Sequence, residues 1–404
     1  MLPRARRRTS GGTRKDGDER LLTSRQAAER LGVKLETLYA YVARRLLHGV
    51  AKDGAGPQER RYTEEELEGF LARRRWSRRV VSSAISSTDG GRLLYRGHDA
   101  VALAERASFE QVASLLWTGE LGEGGEWPEV EAARIEAAAR AASAVPGAPP
   151  LLQAQILVAA LAIEDDTRGR VDAVGVRATG TKLVTRLVAA LAAVRGTRIA
   201  ASTRGPMAAR VLSALGGSPG AAAVRMTDRA LVLSAEHELN ASTFAARVAA
   251  STGADPYAVV GAGVATLSGP KHGGMTDLVE AVFRGGWSPD VDPPLGFGHP
   301  LYPDGDPRTP PLLAAAGEAA RRGSALATIF ACVHAMGARG RPAPTVDVGL
   351  AATSLALGLA PGLASTLFAL GRTAGWLAHA IEQYGMGELI RPRARYVGPR
   401  PEEG

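Results

Sequence analysis

Two histidines sit among glycines in this chain: Gly269-Pro270-Lys271-His272-Gly273-Gly274 and Gly296-Phe297-Gly298-His299-Pro300. Glycine neighbours let the backbone come close to a ligand, so an imidazole held this way is available as a hydrogen-bond donor or proton carrier. A third, His237, follows Glu236 in Glu236-His237-Glu238-Leu239-Asn240. Asp347 lies between Val346 and Val348, where a carboxylate is costly to bury without a purpose. Three separated arginines, Arg308, Arg372 and Arg391, stand in motif-like settings. Guanidinium forks match carboxylates, so the set suits an anionic substrate. Phe368 precedes Arg372 by four residues, which puts both on one helix face. His379 reads as structural, and His48, His98 and His334 belong to no constellation.

Other chemistries find little support. The single Cys332 forms no intramolecular disulfide and no cysteine metal cluster, and no metal site or resident cofactor is expected. No Walker-type loop or Rossmann glycine pattern is present. No stretch reaches about 18 consecutive apolar residues, and the basic N-terminus has no apolar signal core. The expected location is cytoplasmic, without a membrane partner.

Helices must position these groups. Of the 404 residues 45% are hydrophobic but only 5% aromatic, so the core is one of small side chains that let helices approach closely. From residue 80 onward, Ala, Leu and Val recur at helical spacing over 99–118, 129–144, 151–164, 181–194, 207–215, 221–235, 241–250, 256–267, 311–322, 324–337, 346–359 and 362–383. Strand material is confined to a hairpin around 80–95, turning at Asp89-Gly90-Gly91. The main body is therefore expected to be all-α.

The net charge of +8 is uneven. Residues 1–80 hold 20 Lys and Arg against 11 Asp and Glu, a net of +9. Residues 1–20 are expected to be a disordered basic tail. Thr23 with Gln26, and Thr63 with Glu66, read as capping boxes, and Gly32 ends the first helix. A second helix turns Val33, Leu38, Tyr41 and Val42 inward, leaving Lys34, Tyr39, Arg44 and Arg45 as candidate nucleic-acid contacts. Helix, glycine turn, helix, loop and helix over residues 21–75 make a helix-turn-helix module. The run Thr23–Val33, then Thr37-Leu38-Tyr39 and Tyr62–Leu67, resembles the MerR and excisionase type. The basic run from Arg73 to Arg79 reads as a linker.

Beyond that linker the chain resembles the citrate synthase family. Gly269–Gly274 is similar to the family's first histidine loop, and Gly296–Tyr302 with Asp306-Pro307-Arg308 to its second. Leu231–Ser242 is similar to the His-Glu-x-Asn-Ala-Ser helix end, Thr345-Val346-Asp347 to the aspartate site, and Gly371–His379 with Arg391-Pro392-Arg393 to the C-terminal signature. The entry Ser86–Gly90 through Tyr95-Arg96-Gly97 also fits. These motifs run in family order, and the stretch from about 120 to 225 matches poorly.

The resemblance implies a two-domain helical fold, with a large domain over 80–272 and 359–404 and a small domain over 273–358. It implies condensation of an acyl-CoA, acetyl-CoA first, with oxaloacetate, followed by thioester hydrolysis to citrate and CoA. The CoA thioester is then a substrate and not a cofactor. By the same resemblance Asp347 is the base, His272 donates to the thioester oxygen, His299 polarises the ketone, and His237, Arg308, Arg372 and Arg391 bind oxaloacetate. Lys271 is a weaker candidate for CoA. Arg391 reaches a partner subunit's site in the family, implying a homodimer.

The chain departs from the family in three places. Lys271 stands where Leu is usual before His272, and Met275-Thr276 follows where Ala-Asn is usual. Leu301 and Tyr302 follow His299-Pro300, where Arg often comes after the His. Val348-Gly349-Leu350 replaces Phe-Tyr-Ser after the aspartate. These changes alter pocket walls and leave two alternatives open: 2-methylcitrate synthesis from propionyl-CoA, or a DNA-binding regulator whose synthase-like body senses a metabolite.

Overall fold

Alanine, leucine and valine at helical spacing build most of the molecule. The computed structural model describes residues 21–43, 47, 49, 60–64, 66, 67, 70, 81–197, 205–287, 295–319, 323–392, 394 and 396–398. It divides into two units, Met1–Ser82 and Ser83–Gly404. The expected tail over 1–20 and the linker over 73–79 lie outside the described residues.

In the first unit β1 (Leu21–Thr23) leads into α1 (Ser24–Leu31). The expected capping box is present: Thr23 Oγ1 accepts the Gln26 N–H at 3.3 Å and Gln26 Oε1 accepts the Thr23 N–H at 2.9 Å. Gly32, at φ 63°, ends the helix in the left-handed region that glycine enters without strain. α2 (Leu35–Ala43) follows, and β2 (Arg61–Thr63) pairs antiparallel with β1, Leu22 opposite Tyr62. Sequence patterning missed this pairing, because three-residue strands are too short to show a period of two. Thr63 Oγ1 accepts the Glu66 N–H at 3.1 Å. Ala27, Leu31, Leu38, Leu47, Tyr62, Leu67 and Phe70 form the core, with Val33, Tyr41 and Val42 partly buried against it. Lys34 is exposed and Tyr39 half-buried, while Arg44 and Arg45 lie outside the described residues.

The second unit opens with three short antiparallel strands in the order β3 (Ser86–Ser87), β4 (Leu94–Tyr95) and β5 (His98–Asp99). The β3–β4 turn passes through Gly90 and Gly91, both at positive φ. The expected helix over 99–118 is two helices, α3 (Ala100–Arg106) and α4 (Phe109–Thr118). Ser108 and Gln111 form a capping box there, and this local signal overrides the continuous apolar pattern. α5 (Ala133–Ser143) and α6 (Pro150–Leu161) precede α7 (Ala173–Arg195). α7 starts earlier than its apolar stripe predicts, because Asp172 caps it through the Gly175 N–H at 2.9 Å. There follow α8 (Met207–Ala214), α9 (Ala221–Ser234), α10 (Ala241–Ser251), α11 (Pro256–Leu267), α12 (Gly274–Gly285), α13 (Thr309–Gly317), α14 (Ala325–Ala338), α15 (Val346–Ala356) and α16 (Leu363–Met386). Among the described residues, no helix is long and apolar enough to cross a membrane.

Most apolar side chains of this unit form one large core. A smaller cluster gathers Val279 and Phe283 of α12, Ile329, Cys332 and Met336 of α14, and Val348, Ala351 and Ala352 of α15. α16 is the axis of the large core: every residue from Leu363 to Ala380 is buried, the polar Arg372 and His379 included. Its glycines set how close it comes to its neighbours. A Cβ on Gly371 would lie 2.7 Å from the Leu231 carbonyl oxygen, and one on Gly375 would lie 2.3 Å from the Ala235 carbonyl oxygen. The two glycines flank Arg372 on either side and seat α16 directly on the end of α9, so the Arg372 Nε–H reaches the Ser234 carbonyl at 2.7 Å. Trp376, fully buried, covers Gly263 of α11, where a Cβ would lie 2.5 Å from the indole.

Gly371→Ala is therefore expected to cost about 1–3 kcal/mol, the usual range for overpacking. The obstructing atoms are the Leu231 backbone and the Ser234 Cβ, none of which can swing aside. Urea denaturation checks this, and an unchanged midpoint would contradict the close seating of α16 on α9.

Candidate active site

The α11–α12 connection holds His272. His272 N–H and Gly274 N–H both donate to the Gly269 carbonyl, at 2.9 and 3.2 Å. A Cβ on Gly273 would lie 2.5 Å from Leu267, and one on Gly274 would lie 2.3 Å from the Ser268 oxygen. The glycines after the histidine thus let the chain fold back on the end of α11. The second loop has a different basis. Gly296 and Gly298 both adopt φ 82°, and the loop is pinned to the approach of α15: Thr345 N–H donates to the Gly296 carbonyl at 2.8 Å and Gly298 N–H to the Ala343 carbonyl at 2.9 Å. That pinning brings His299 beside Asp347 at the start of α15.

One cavity of about 310 Å³ gathers His237, Lys271, His272, His299, Arg308, Asp347 and Arg372, with Asn240, Met275, Phe297 and Phe368 also in its walls. Seven of the residues singled out from the sequence thus share one space. Arg391 does not: it is exposed and does not line the cavity of its own chain. Phe368, equally readable as a core residue, lies beneath the Arg372 guanidinium, 4.9 Å from ring centre to carbon.

The three imidazoles are neutral near pH 7, for the same reason in each case. Burial pushes the pKa of His272 down to about 4, helped by the positive charges of Arg372 and Arg308. Burial carries His237 well below its ordinary value and also lowers His299. Their hydrogen bonds constrain the tautomers. His299 Nδ1 accepts the Leu301 N–H at 3.2 Å, leaving Nε2 to carry the proton. His272 Nε2 lies 2.8 Å from Ser242 Oγ, which also receives the Trp376 indole N–H at 3.2 Å. The single Ser242 hydroxyl proton faces both Nε2 and Asn240 Oδ1, the latter at 2.9 Å; in the arrangement where it goes to Nε2, Nδ1 becomes the donor available to a ligand. His237 Nε2 pairs with Tyr302 Oη at 2.9 Å, and burial raises that phenol to about 12, so it stays protonated.

The charged groups differ in how far they are already satisfied. Arg308, buried, grips Asp306 through Nε at 2.9 Å and Nη2 at 2.7 Å. Asp306 Oδ2 also accepts the Val346 N–H at 3.1 Å, tying this arginine to the start of α15. Arg372 is buried too, but its Nη1 has no hydrogen-bond partner. Burial lowers its pKa to about 10, and it remains a cation. A buried guanidinium with an unsatisfied Nη1 at a cavity wall is a ready donor to a carboxylate ligand. Asp347 receives the Thr276 hydroxyl on Oδ1 at 2.7 Å and the Thr345 hydroxyl on Oδ2 at 2.9 Å. Burial raises its pKa above the usual carboxylate range, against the pull of those hydrogen bonds.

A buried ionic set backs this wall. Glu236, beside His237, accepts from Ser86 Oγ at 3.2 Å and pairs with His379 Nε2 at 3.1 Å. His379 Nδ1 meets the buried Arg247 at 2.9 Å, and Arg247 in turn pairs with Glu382. His379 is thus structural, as expected. Glu238, at φ 51°, holds the backbone beside His237 in the left-handed region and accepts the Thr88 hydroxyl at 2.6 Å. Ser242, Thr276, Thr345 and Tyr302 carried no assigned role in the sequence, although each lies inside a motif quoted there.

A neutral imidazole donor, a buried carboxylate and an unsatisfied guanidinium in one space can enolise a carbon acid beside an anionic acceptor. Two comparisons with solved structures place the fold. Citrate synthase of Thermoplasma acidophilum, solved as a ternary complex with carboxymethyl coenzyme A and oxaloacetate, superposes with a TM-score of 0.69 at 24% identity, covering 81% of this chain and 96% of that one. Citrate synthase of Pyrobaculum aerophilum gives 0.66 at 27% identity, covering 79% and 90%. The fold class is therefore the all-α citrate synthase fold, preceded by a unit that matches a helix-turn-helix domain over residues 21–75.

The sequence comparisons go further. The profile of the citrate synthase C-terminal domain matches residues 75–393. A Haloferax volcanii protein named citrate synthase is 34% identical over 374 residues, covering 83% of this chain and 95% of that protein. A Corynebacterium glutamicum protein named 2-methylcitrate synthase 2 is 31% identical over 357 residues, covering 80% and 93%. The chain belongs to the citrate synthase family, and it is a citrate synthase-type enzyme.

Proposed function

We propose that this enzyme condenses acetyl-CoA with oxaloacetate and hydrolyses the resulting thioester to citrate and CoA. The observation that carries the reading is the convergence of Asp347, His272 and His299 on one cavity walled by Arg308 and Arg372. In this reading Asp347 takes a proton from the acyl α-carbon while His272 Nδ1–H donates to the oxygen that becomes the enolate. The acyl methyl is a very weak carbon acid, so both events must coincide. The enolate carbon then bonds to the ketone carbon of oxaloacetate. His299 Nε2–H polarises that ketone by donating a hydrogen bond to its oxygen, and the proton lost by the acyl α-carbon to Asp347 balances the one the alkoxide oxygen takes up. Arg372, Arg308 and His237 hold the dianion. Water cleaves the thioester, releasing CoA.

Neutrality of His272 supports its role: an imidazole that low in basicity donates a hydrogen bond without surrendering its proton. Met275, Phe297 and Val346 line the same cavity as Asp347, and their bulk favours the smallest acyl group. The wider membership, with relatives named for citrate and for 2-methylcitrate synthesis, keeps propionyl-CoA as the second reading. Free CoA release with acetyl-, propionyl- and butyryl-CoA, with and without oxaloacetate, decides it. Acetyl-CoA is expected to give the highest kcat/KM, with strict dependence on oxaloacetate. A higher value for propionyl-CoA would replace the assignment, and no release with any of them would leave the metabolite-sensing regulator.

The enzyme works as a homodimer in which Arg391, exposed on its own chain, completes the partner's site. The segment 273–358 acts as a small domain that closes over the substrates, and Lys271 at the cavity rim contacts CoA. The N-terminal unit, with its excess of positive charge and exposed Lys34, binds nucleic acid through Lys34, Tyr39, Arg44 and Arg45. Such binding would weaken steeply with salt.

A further inference from the structure

Threonines in the helices of this protein mostly spend their hydroxyls locally. Thr118, Thr227, Thr266, Thr353 and Thr373 each donate to the carbonyl four residues earlier in their own helix. Thr276 of α12 does not. Fully buried, it donates across 71 residues of sequence to Asp347 Oδ1. Thr345 is equally out of pattern. It occupies the N-cap of α15, where a hydroxyl ordinarily accepts from the first free backbone N–H groups, yet it makes no capping bond. Asp306 takes the Val346 N–H instead, and the Thr345 hydroxyl donates to Asp347 Oδ2. Each carboxylate oxygen thus has its own hydroxyl donor, from two different helices. Thr276 stands where the family usually has Asn.

We infer that Thr276 and Thr345 are positioning residues that clamp the Asp347 carboxylate in one orientation and keep it ionised for proton abstraction. This deepens the assignment of Asp347 as base and rests on it. Both hydroxyls favour the charged form, since a threonine O–H donates more strongly to a carboxylate than to a neutral acid. The other charges facing Asp347 are Arg308, which favours ionisation, and Asp306, which opposes it. His299 and His272 face the same cavity, and burial lowers the pKa of both. Burial pushes Asp347 upward, so removing a donor leaves that push less opposed.

The test is Thr276→Val, which keeps the shape and removes the donor, beside Thr276→Ser, which keeps the donor, and Thr345→Val. In the pH dependence of kcat/KM for the acyl-CoA, the acid limb is expected to move up by about one pH unit in each valine variant, from the worth of one charge-assisted hydrogen bond. Serine is expected to return it close to wild type, with KM for oxaloacetate unchanged. A packing role would lower the rate equally at every pH, and an unmoved limb with that uniform loss overturns the clamp. Infrared titration of the Asp347 carboxyl in the substrate-free protein, assigned by difference against Asp347→Asn, reads the same shift without turnover. If the wild type releases no CoA, the catalytic reading fails, while an infrared midpoint that moves in Thr345→Val still upholds the clamp. A midpoint that stays put rejects it.

Discussion

Asp347→Asn is expected to lower kcat by on the order of 10²–10⁴-fold, the range that a positioned general base contributes. Asparagine keeps the size of the side chain and an oxygen that can accept one of the two threonine hydroxyls, so the start of α15 should stand. What disappears is the acceptor for the acyl proton. Oxaloacetate binding should change little, because the arginines and His237 are untouched. The pH profile sharpens the test. Asp347 works only when ionised, and burial raises its pKa above the carboxylate range. The wild-type rate must therefore fall as pH falls through that raised value, and the limb must vanish in the variant. Burial moves His272 the opposite way, down to about 4, so it is neutral near pH 7. A variant that kept the acid limb and lost less than tenfold in kcat would remove Asp347 from the chemistry.

The second large effect is expected at Arg372. Arg372→Gln should raise the KM for oxaloacetate by about 10²- to 10³-fold, corresponding to the loss of a buried, hydrogen-bonded charge pair with the ligand. Arg372 is the sharper probe of the two cavity arginines because of what each already does without ligand. Arg308 is spoken for by Asp306; removing it strands a buried carboxylate and disturbs the fold as well as the site. Arg372 has one backbone partner, an Nη1 with none, and Glu236 as a nearby opposite charge, so part of its hydrogen-bonding capacity is uncommitted. Calorimetric titration of oxaloacetate into the variant, with circular dichroism to confirm an intact fold, makes the measurement. Binding within a few-fold of wild type would mean that the dianion is held elsewhere.

Family membership and the candidate cavity have a common origin in short sequence signals. Gly273 and Gly274 follow His272 because the chain must turn back against Leu267 and Ser268, and Gly296 and Gly298 surround the second loop because both need positive φ. Gly371 and Gly375 flank Arg372 because a backbone must pass there. Such constraints are local, so the glycines, and the histidines and arginine they frame, stand out in the amino-acid order. The same holds for the Thr23–Gln26 capping box and the glycine stop at Gly32.

Other features were invisible for an equally physical reason. The partners of Asp347, His272 and His237 are hydroxyls of Thr276, Thr345, Ser242 and Tyr302, and most lie 30 to 71 residues away. A threonine that serves a carboxylate across the fold has the same local surroundings as one that bonds back to its own helix. The pairing of β1 with β2 and the ionic set behind His237 likewise join segments distant in the chain. The order of residues alone determined the helical class, the loops that expose the imidazoles and the arginines that must meet an anion. Only the packed structure decided which hydroxyl orients which side chain, because hydrogen-bond partners are selected by proximity in space, which residue spacing encodes only within a helical turn or a tight loop.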